Sequence, residues 1–292
     1  PGVAYQPGVG QQPGVAYQQQ GVAYQQPGVP QSQFAYQGGI SQQPGAAPIQ
    51  YNLMPFPGAV EGVPQGLEYL SVIDQLIIKQ EVELMEVLTG IECKNKYRIF
   101  NSVEQQVYFA FEESDDCQRI CCGSSRGFVL HITDNQQQEV LRITREFKCC
   151  AGCCWCADTC CQYPMIINDR FGNKMGMIRM MDSFCQLRFG LFDETDQLLY
   201  EIWAPCCDCQ CVCNTEDLNF PVCNVKDKSQ VANIRKIWAG VLREVYTKAD
   251  TFGISFPVDL NIKHKALMLA TVFLIDFVIF EKQKNNNNRN RN

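Results

Sequence analysis

The chain predicts a mainly β fold, an antiparallel barrel or sandwich, preceded by a low-complexity head and closed by one apolar segment. Three observations carry this. Short runs of apolar residues alternate with period two, clusters of Asp, Asn and Gly separate them, and the runs recur at close spacing through most of the chain.

The head, 1–65, holds no Lys, Arg or Cys and only Glu61 as a charge, whereas all 25 basic residues and all 18 cysteines lie beyond it. It repeats a Pro-Gly-Val-Ala-Tyr-Gln unit at Pro1–Gln6 and Pro13–Gln18, with a version lacking proline at Gly21–Gln25. Proline blocks hydrogen-bonded structure and glycine raises the entropy cost of ordering, so 1–65 is expected to be disordered. Its single Pro27-Gly-Val-Pro30 motif offers a ligand to proline-reading modules; a solvated tail is the plainer alternative. The Asn-rich end, 283–292, reads as a second disordered tail.

Between them, 66–282 is long enough for one domain with a sizeable core. Leu70, Ile73, Leu76 and Ile77 follow helical spacing and predict a short amphipathic helix at its start. Hairpins follow. Tyr97 and Ile99 precede Val107, Phe109 and Phe111; Phe128, Leu130 and Ile132 lead through Asp134-Asn135 to Val140–Arg145. Met165–Ile167 turns through Asn168–Asn173 into Met175–Met180, and Leu187–Phe192 through Asp193–Asp196 into Leu198–Trp203. Leu218–Val225 turns at Lys226–Ser229 into Val231–Trp238.

The last apolar stretch, Ala266–Phe280, is broken only by Asp276. As a helix it would span about 22 Å, short of the roughly 30 Å hydrocarbon core of a bilayer. A carboxylate inside lipid would cost several kcal/mol more. Two readings stand. The segment is a short membrane anchor, with Lys263 and Lys265 on the cytoplasmic side, or it is a helix apolar all round that fills the barrel. Length and Asp276 favour burial.

The formal net charge of −6 predicts no bulk attraction to nucleic acid or anionic lipid, so membrane affinity must have another source. The cysteines supply one. No signal-peptide-like segment opens this sequence, it contains no Asn-x-Ser/Thr sequon, and its thiols come in adjacent pairs that suit separate bridges poorly; a reducing compartment is expected. Cys149, Cys150, Cys153, Cys154 and Cys156, continuing to Cys160 and Cys161, form a dense run. Two or more acyl chains anchor firmly where one binds marginally. Zinc is the competing reading, with Cys153-x-x-Cys156 and Cys206-x-x-Cys209 as four thiolates, against which stands the large excess of sulfur without stereotyped spacing. A second run, Cys206 to Cys213, reads equally as buried or turn-lining thiols.

Several longer stretches resemble the phospholipid scramblases: GLEYLSVIDQL at Gly66–Leu76, EVLTGIECKNKY at Glu86–Tyr97, QQVYFAFEES at Gln105–Ser114 and RICCGSSRGFVLHITDN at Arg119–Asn135. So do WAGVLREVYTKADTFGISFPVDLNIKHKALML at Trp238–Leu269 and FLIDFVIFE at Phe273–Glu281. The resemblance runs in order over 64–282. It implies a closed antiparallel barrel of about twelve strands around a hydrophobic C-terminal helix, as in tubby-like domains. It also implies palmitate on the first cysteine run, attachment to the cytoplasmic face of the plasma membrane, and calcium-triggered, ATP-independent, bidirectional movement of phospholipids between leaflets. Ala266, Phe273, Asp276 and Phe280 mark the membrane or core helix.

Calcium in this family is compared with a loop before the terminal helix, whose first position falls here on Lys248, the third on Asp250, the sixth on Gly253 and the twelfth on Asp259. A hard cation wants about six to eight oxygens. An ammonium opens this segment, Thr251 and Ser255 offer neutral oxygens only, and Phe252, Ile254, Phe256 and Val258 alternate like a strand. Weak calcium binding through Asp250, Asp259 and backbone carbonyls is the expectation. A basic segment linked in the family to nuclear import matches Asn233–Trp238; only Arg235 and Lys236 are basic, so a nuclear pool rests on a thin signal and a solvated strand edge is the plainer reading.

No P-loop or dinucleotide fingerprint is present, and His131 and His264 lie in different elements, so no enzyme is expected and His264 reads as a surface residue. Two function classes remain: a scramblase, acting alone or as a homo-oligomer on phospholipids, and a palmitoylated adaptor without intrinsic lipid transport.

Overall fold

A computed structural model describes residues 52–81, 94–148, 156–184, 186–205, 217–238 and 250–281. Twelve strands form one closed antiparallel barrel: β1 (Gln75–Glu81), β2 (Lys96–Phe100), β3 (Gln106–Glu113), β4 (Phe128–Thr133), β5 (Glu139–Arg145), β6 (Met165–Asp169), β7 (Lys174–Met181), β8 (Arg188–Asp193), β9 (Leu198–Trp203), β10 (Leu218–Asn224), β11 (Gln230–Ile237) and β12 (Thr251–Ser255). Each strand pairs with its sequence neighbours, and β1 closes the ring by pairing with both β2 and β12. Closure leaves no unpaired edge for another chain to template on.

Alternation decides which side of the wall each residue faces. In β4, Phe128, Leu130 and Ile132 are buried while Val129, His131 and Thr133 face outward. The outward positions carry Lys79, Arg98, Arg142, Lys174, Arg188 and Arg235 in ion pairs with acidic neighbours. A barrel that spans lipid has the reverse arrangement, an apolar outer band around a polar interior.

The interior is filled by a helix. α2 (Ile262–Ile275) enters at one end and continues as a π-helical turn, Asp276–Glu281, to the other. Every residue from Lys265 to Ile275 is buried, so the apolar surround of this segment is spent on the barrel wall. Of the two sequence readings of 266–280, burial is the one the fold contains, and no described helix is long and apolar enough to cross a membrane. The fit is tight. A Cβ at Gly176 would overlap the Phe192 carbonyl and meet Leu267 Cδ2 at 2.8 Å. Phe273 sits edge-on to Tyr97, with ring centres 4.9 Å apart, and Phe280 lies against Phe220 and Phe252.

The positive-inside reading of Lys263 and Lys265 needs correction. Lys263 is half-exposed beside Glu194, but Lys265 is fully buried and its Nζ donates to the carbonyls of Leu70, Ile73 and Val258 at 2.7–2.8 Å. Three carbonyl dipoles replace its hydration shell and tie the start of α2 to the barrel mouth. His264 is likewise no plain surface residue: it is half-buried, with Nδ1 2.8 Å from the Tyr200 hydroxyl. The helix expected over Leu70–Ile77 is a single 3-10 turn, Glu68–Ser71, followed by β1. Leu70 and Ile73 are buried by the turn and its exit, whereas Leu76 and Ile78 are the inward positions of a strand.

The two ends of the barrel differ. At the hairpin end, the β2–β3, β4–β5, β6–β7 and β8–β9 turns repeat one device. Asn101, Asp134, Asp169 and Asp193 each accept two backbone N–H groups from the following residues, and a residue with positive φ (Glu104, Gln137, Gly172, Asp196) sits three positions later. The β10–β11 turn is a longer variant with Asn224 and Lys228 in these roles. At the other end the connections are long, except for the short one between β7 and β8. They carry seventeen of the 18 cysteines, all but Cys223 of β10.

Candidate functional site

Antiparallel order sends every second connection to the same end, so β1–β2, β3–β4, β5–β6, β7–β8 and β9–β10 collect there. The topology thus brings the strand ends that flank five cysteine-bearing connections, far apart in sequence, to one rim. Cys149, Cys150, Cys153 and Cys154 of the expected acylation run, and the second run from Cys206 to Cys213, lie outside the described residues. Cys117, Cys121 and Cys122 are on α1 (Asp116–Cys122), between β3 and β4. Ile120 of α1, Phe147 and Phe184 are exposed at this end.

Cys156 is separated from the rest of its run. Residues 156–162 form a turn in which the N–H groups of Thr159 and Cys161 donate to the Cys156 carbonyl at 3.2 and 3.0 Å. Asp158 braces the turn by accepting from Arg179 and from the Asp182 backbone, while Asp182 accepts from the Asp158 N–H. The turn gathers Cys156, Cys160 and Cys161 into one group whose sulfurs all lie within 4.8 Å of one another. Cys161 is buried, Cys156 half-buried and Cys160 exposed. Sequence spacing pointed Cys156 back toward Cys153; the fold points it forward.

Under this rim lies a buried ionic network that sequence reading missed. Arg126, just before β4, makes a bidentate pair with Glu112 (2.6 and 2.8 Å) and also pairs with Glu281 at the end of the central helix. Burial alone would disfavour the Glu112 carboxylate, but the Arg126 hydrogen bonds and charge hold its pKa below the usual range. Arg145 is buried beside it, donating to the Arg126 carbonyl and lying over Phe128, Tyr163 and Phe277 at 4.4–5.1 Å. Burial, only partly offset by the nearby Tyr163 and Glu281, lowers its pKa to about 10. Asp276 accepts from the Tyr97 hydroxyl at 2.6 Å. The carboxylate that spoke against lipid is therefore satisfied inside the barrel. Nothing in the spacing of these residues announces them, because the three partners come from β3, the loop before β4, and the chain's last helical turn.

The calcium segment is not a loop. Asp250 is buried at the start of β12, with Oδ1 2.8 Å from Lys236 Nζ, while Asp259 is exposed in the turn beyond its far end. The strand between them spans about 16 Å, whereas oxygens on one calcium ion lie within about 5 Å of each other. The residues present do not fit a shared calcium ion: the strand holds the two carboxylates apart and an ammonium already sits on one. Lys248 lies outside the described residues. Arg235 and Lys236 of the basic segment are in β11, paired with Asp217 and Asp250. On the outer wall His131 bridges Glu139 and Glu113 at 2.7 and 3.0 Å and stacks on Phe111.

A family model described as Scramblase matches residues 54–282, from just before the 3-10 turn to the end of the π-helical turn. The chain belongs to the scramblase family. Phospholipid scramblase 1 of Mus musculus is 43% identical over 236 residues, covering 81% of this chain and 70% of that protein. Phospholipid scramblase 2 of Bos taurus is 42% identical over 235 residues, 80% of this chain and 78% of its own. Phospholipid scramblase family member 5 of Homo sapiens is 38% identical over 220 residues, 75% and 78% of the two chains. No solved structure matches significantly. The scramblase barrel described here thus coincides with the matched region. Scramblase relatives imply membrane association, which in this chain no described helix supplies by crossing.

Proposed function

We propose that this chain moves phospholipids between membrane leaflets in both directions, down their gradients, without ATP and without making or breaking a bond. The observation that carries this reading is the family match over residues 54–282. Attachment is to the cytoplasmic face of the plasma membrane through palmitate on Cys149, Cys150, Cys153 and Cys154. These cysteines lie between β5 and β6, whose connection leaves at the cysteine end, so that rim faces the bilayer and the Asp- and Asn-capped hairpins face away. Thiols and not apolar side chains give the orientation, since Val103, Phe171 and Val258 are exposed at the hairpin end as well.

A polar headgroup passing through hydrocarbon needs a hydrated groove or a thinned bilayer. The one long helix among the described residues is inside the barrel and the barrel wall is charged outside, so this domain works by distorting the leaflet on which it sits, or as a homo-oligomer. That placement also favours the second reading, a palmitoylated adaptor whose barrel and Pro27–Pro30 motif recruit partners. Any calcium response is weak, because β12 separates Asp250 from Asp259 and Lys236 already pairs with Asp250. Calorimetry on the purified chain should give affinity no tighter than about 10⁻⁴ M, unaltered in Asp250→Asn.

The deciding experiment reconstitutes the acylated chain in liposomes with labelled lipid in one leaflet. Exchange of label in the absence of ATP supports scrambling; no exchange by protein that remains bound to the liposomes leaves the adaptor. Hydroxylamine, which cleaves thioesters, is expected to release the chain from membranes. Unchanged attachment would overturn the palmitate anchor.

A further inference from the structure

We infer that Cys156, Cys160 and Cys161 form a zinc site, distinct from the acyl-bearing cysteines before it and independent of whether the chain transports lipid. The three sulfurs are already gathered. Cys156 and Cys161 stand 2.9 Å apart, Cys160 and Cys161 3.9 Å apart, and no pair exceeds 4.8 Å. Thiolates 2.3 Å from a tetrahedral zinc are about 3.8 Å from one another. The Cys160–Cys161 separation therefore needs little change, Cys156–Cys160 closes by about 1 Å at most, and the short Cys156–Cys161 contact opens by about 1 Å as the ion enters between them.

The turn is built before any ion arrives. Its backbone is closed by hydrogen bonds onto the Cys156 carbonyl, and Asp158 ties it to Arg179 and Asp182 at the start of the β7–β8 connection. Farther on, Tyr163 fastens the same segment to the barrel by donating to the Ser125 and Arg126 carbonyls at 2.7 and 3.0 Å. Ligands held in place lose little freedom on binding, which is the general condition for a tight site. The donor set, three thiolates without carboxylate or imidazole, selects a soft or borderline cation over calcium or magnesium. Cys160 is exposed, so the fourth position opens to water.

This assignment divides the cysteine run by role. A thiolate bound to zinc is not an available nucleophile for acyl transfer, so Cys156 leaves the lipidation set in which sequence spacing placed it. The ion instead clasps the turn that follows the acylated residues and fixes it to β7.

The test uses the full chain, reduced, loaded with Zn²⁺ and passed through a competing chelator. Wild type should retain one zinc per chain, and so should Cys149→Ser/Cys150→Ser/Cys153→Ser/Cys154→Ser. Cys156→Ser/Cys160→Ser/Cys161→Ser should retain none. Cys160→Ser replaces an exposed side chain and so keeps the fold; losing a ligand, it should weaken binding by more than the roughly 10–100-fold that follows loss of an outer partner. Co²⁺ in place of zinc should give thiolate charge-transfer absorption in wild type that is absent from the triple variant. A folded wild type that retains no zinc would overturn the site, as would equal retention by the triple variant.

Discussion

The two ends of the barrel obey different rules. The hairpin end is made four times over by the same five-residue turn, with an Asp or Asn side chain taking two backbone N–H groups and a left-handed residue three places on. Each turn closes with its own local hydrogen bonds. The cysteine end is made of long connections whose order depends on contacts across the molecule, above all Arg126 with Glu112 and Glu281. Local chemistry sets one rim and long-range chemistry the other. It is the second that carries nearly every thiol. The lesson is that a barrel can keep its register at one end while leaving the other to acquire function.

Removing the central helix should break this contrast altogether. Truncation before Ala266 takes away the common core of both ends, and the expected product is an insoluble chain without cooperative unfolding. A folded, soluble truncation would mean the helix is an appendage. Arg126→Ala should come next, costing about 3–5 kcal/mol by denaturant unfolding, because two buried carboxylates lose their partner. Hydrogen exchange should show the loss concentrated at the cysteine end. Asp169→Ala at the hairpin end should cost about 1–2 kcal/mol, through the two N–H groups it caps, and leave the thiol rim undisturbed. If Asp169→Ala proved as damaging as Arg126→Ala, the division of the two ends would fail.

The smallest effect is a pH dependence. Burial disfavours the charged His131 ring, but the hydrogen bonds to Glu139 and Glu113 outweigh it and raise its pKa above the usual 6.5. The folded state therefore holds the proton more tightly than the unfolded chain. This contribution is complete below about pH 6.5 and is lost as pH rises through the folded value. Thermal melts of His131→Gln should lack that decline, with no change in the hairpin or cysteine rims.

Much of the fold was legible. The hairpins from β2 to β11 follow from period-two alternation broken by Asp, Asn and Gly, because a one-residue slip would turn every inward side chain outward. The alternation over Phe252–Phe256 correctly spoke for a strand where the loop comparison wanted a calcium site. β1 was misread because Leu70, Ile73, Leu76 and Ile77 mix a 3-10 turn with a strand, and short apolar runs do not distinguish the two periods. Of the candidate site, the thiols were visible as residues but not as groups. Cys156 looked like a neighbour of Cys153 until the turn through Asp158 brought it to Cys160 and Cys161.

By itself, then, the order of residues determined the strands from β2 onward, their turns, an antiparallel barrel-or-sandwich plan and the burial-prone last helix, since each rests on contacts or periodicities a few residues long. Tertiary structure alone decided that Lys265 is a buried clamp, that Arg126 joins Glu112 to Glu281, that Asp250 and Asp259 stand at opposite ends of a strand, and that Cys117, Cys121, Cys122, Cys156, Cys160 and Cys161 share one end of the barrel. Those facts depend on which distant segments closure of the ring brings together. Separation along the chain carries no record of distance across a barrel.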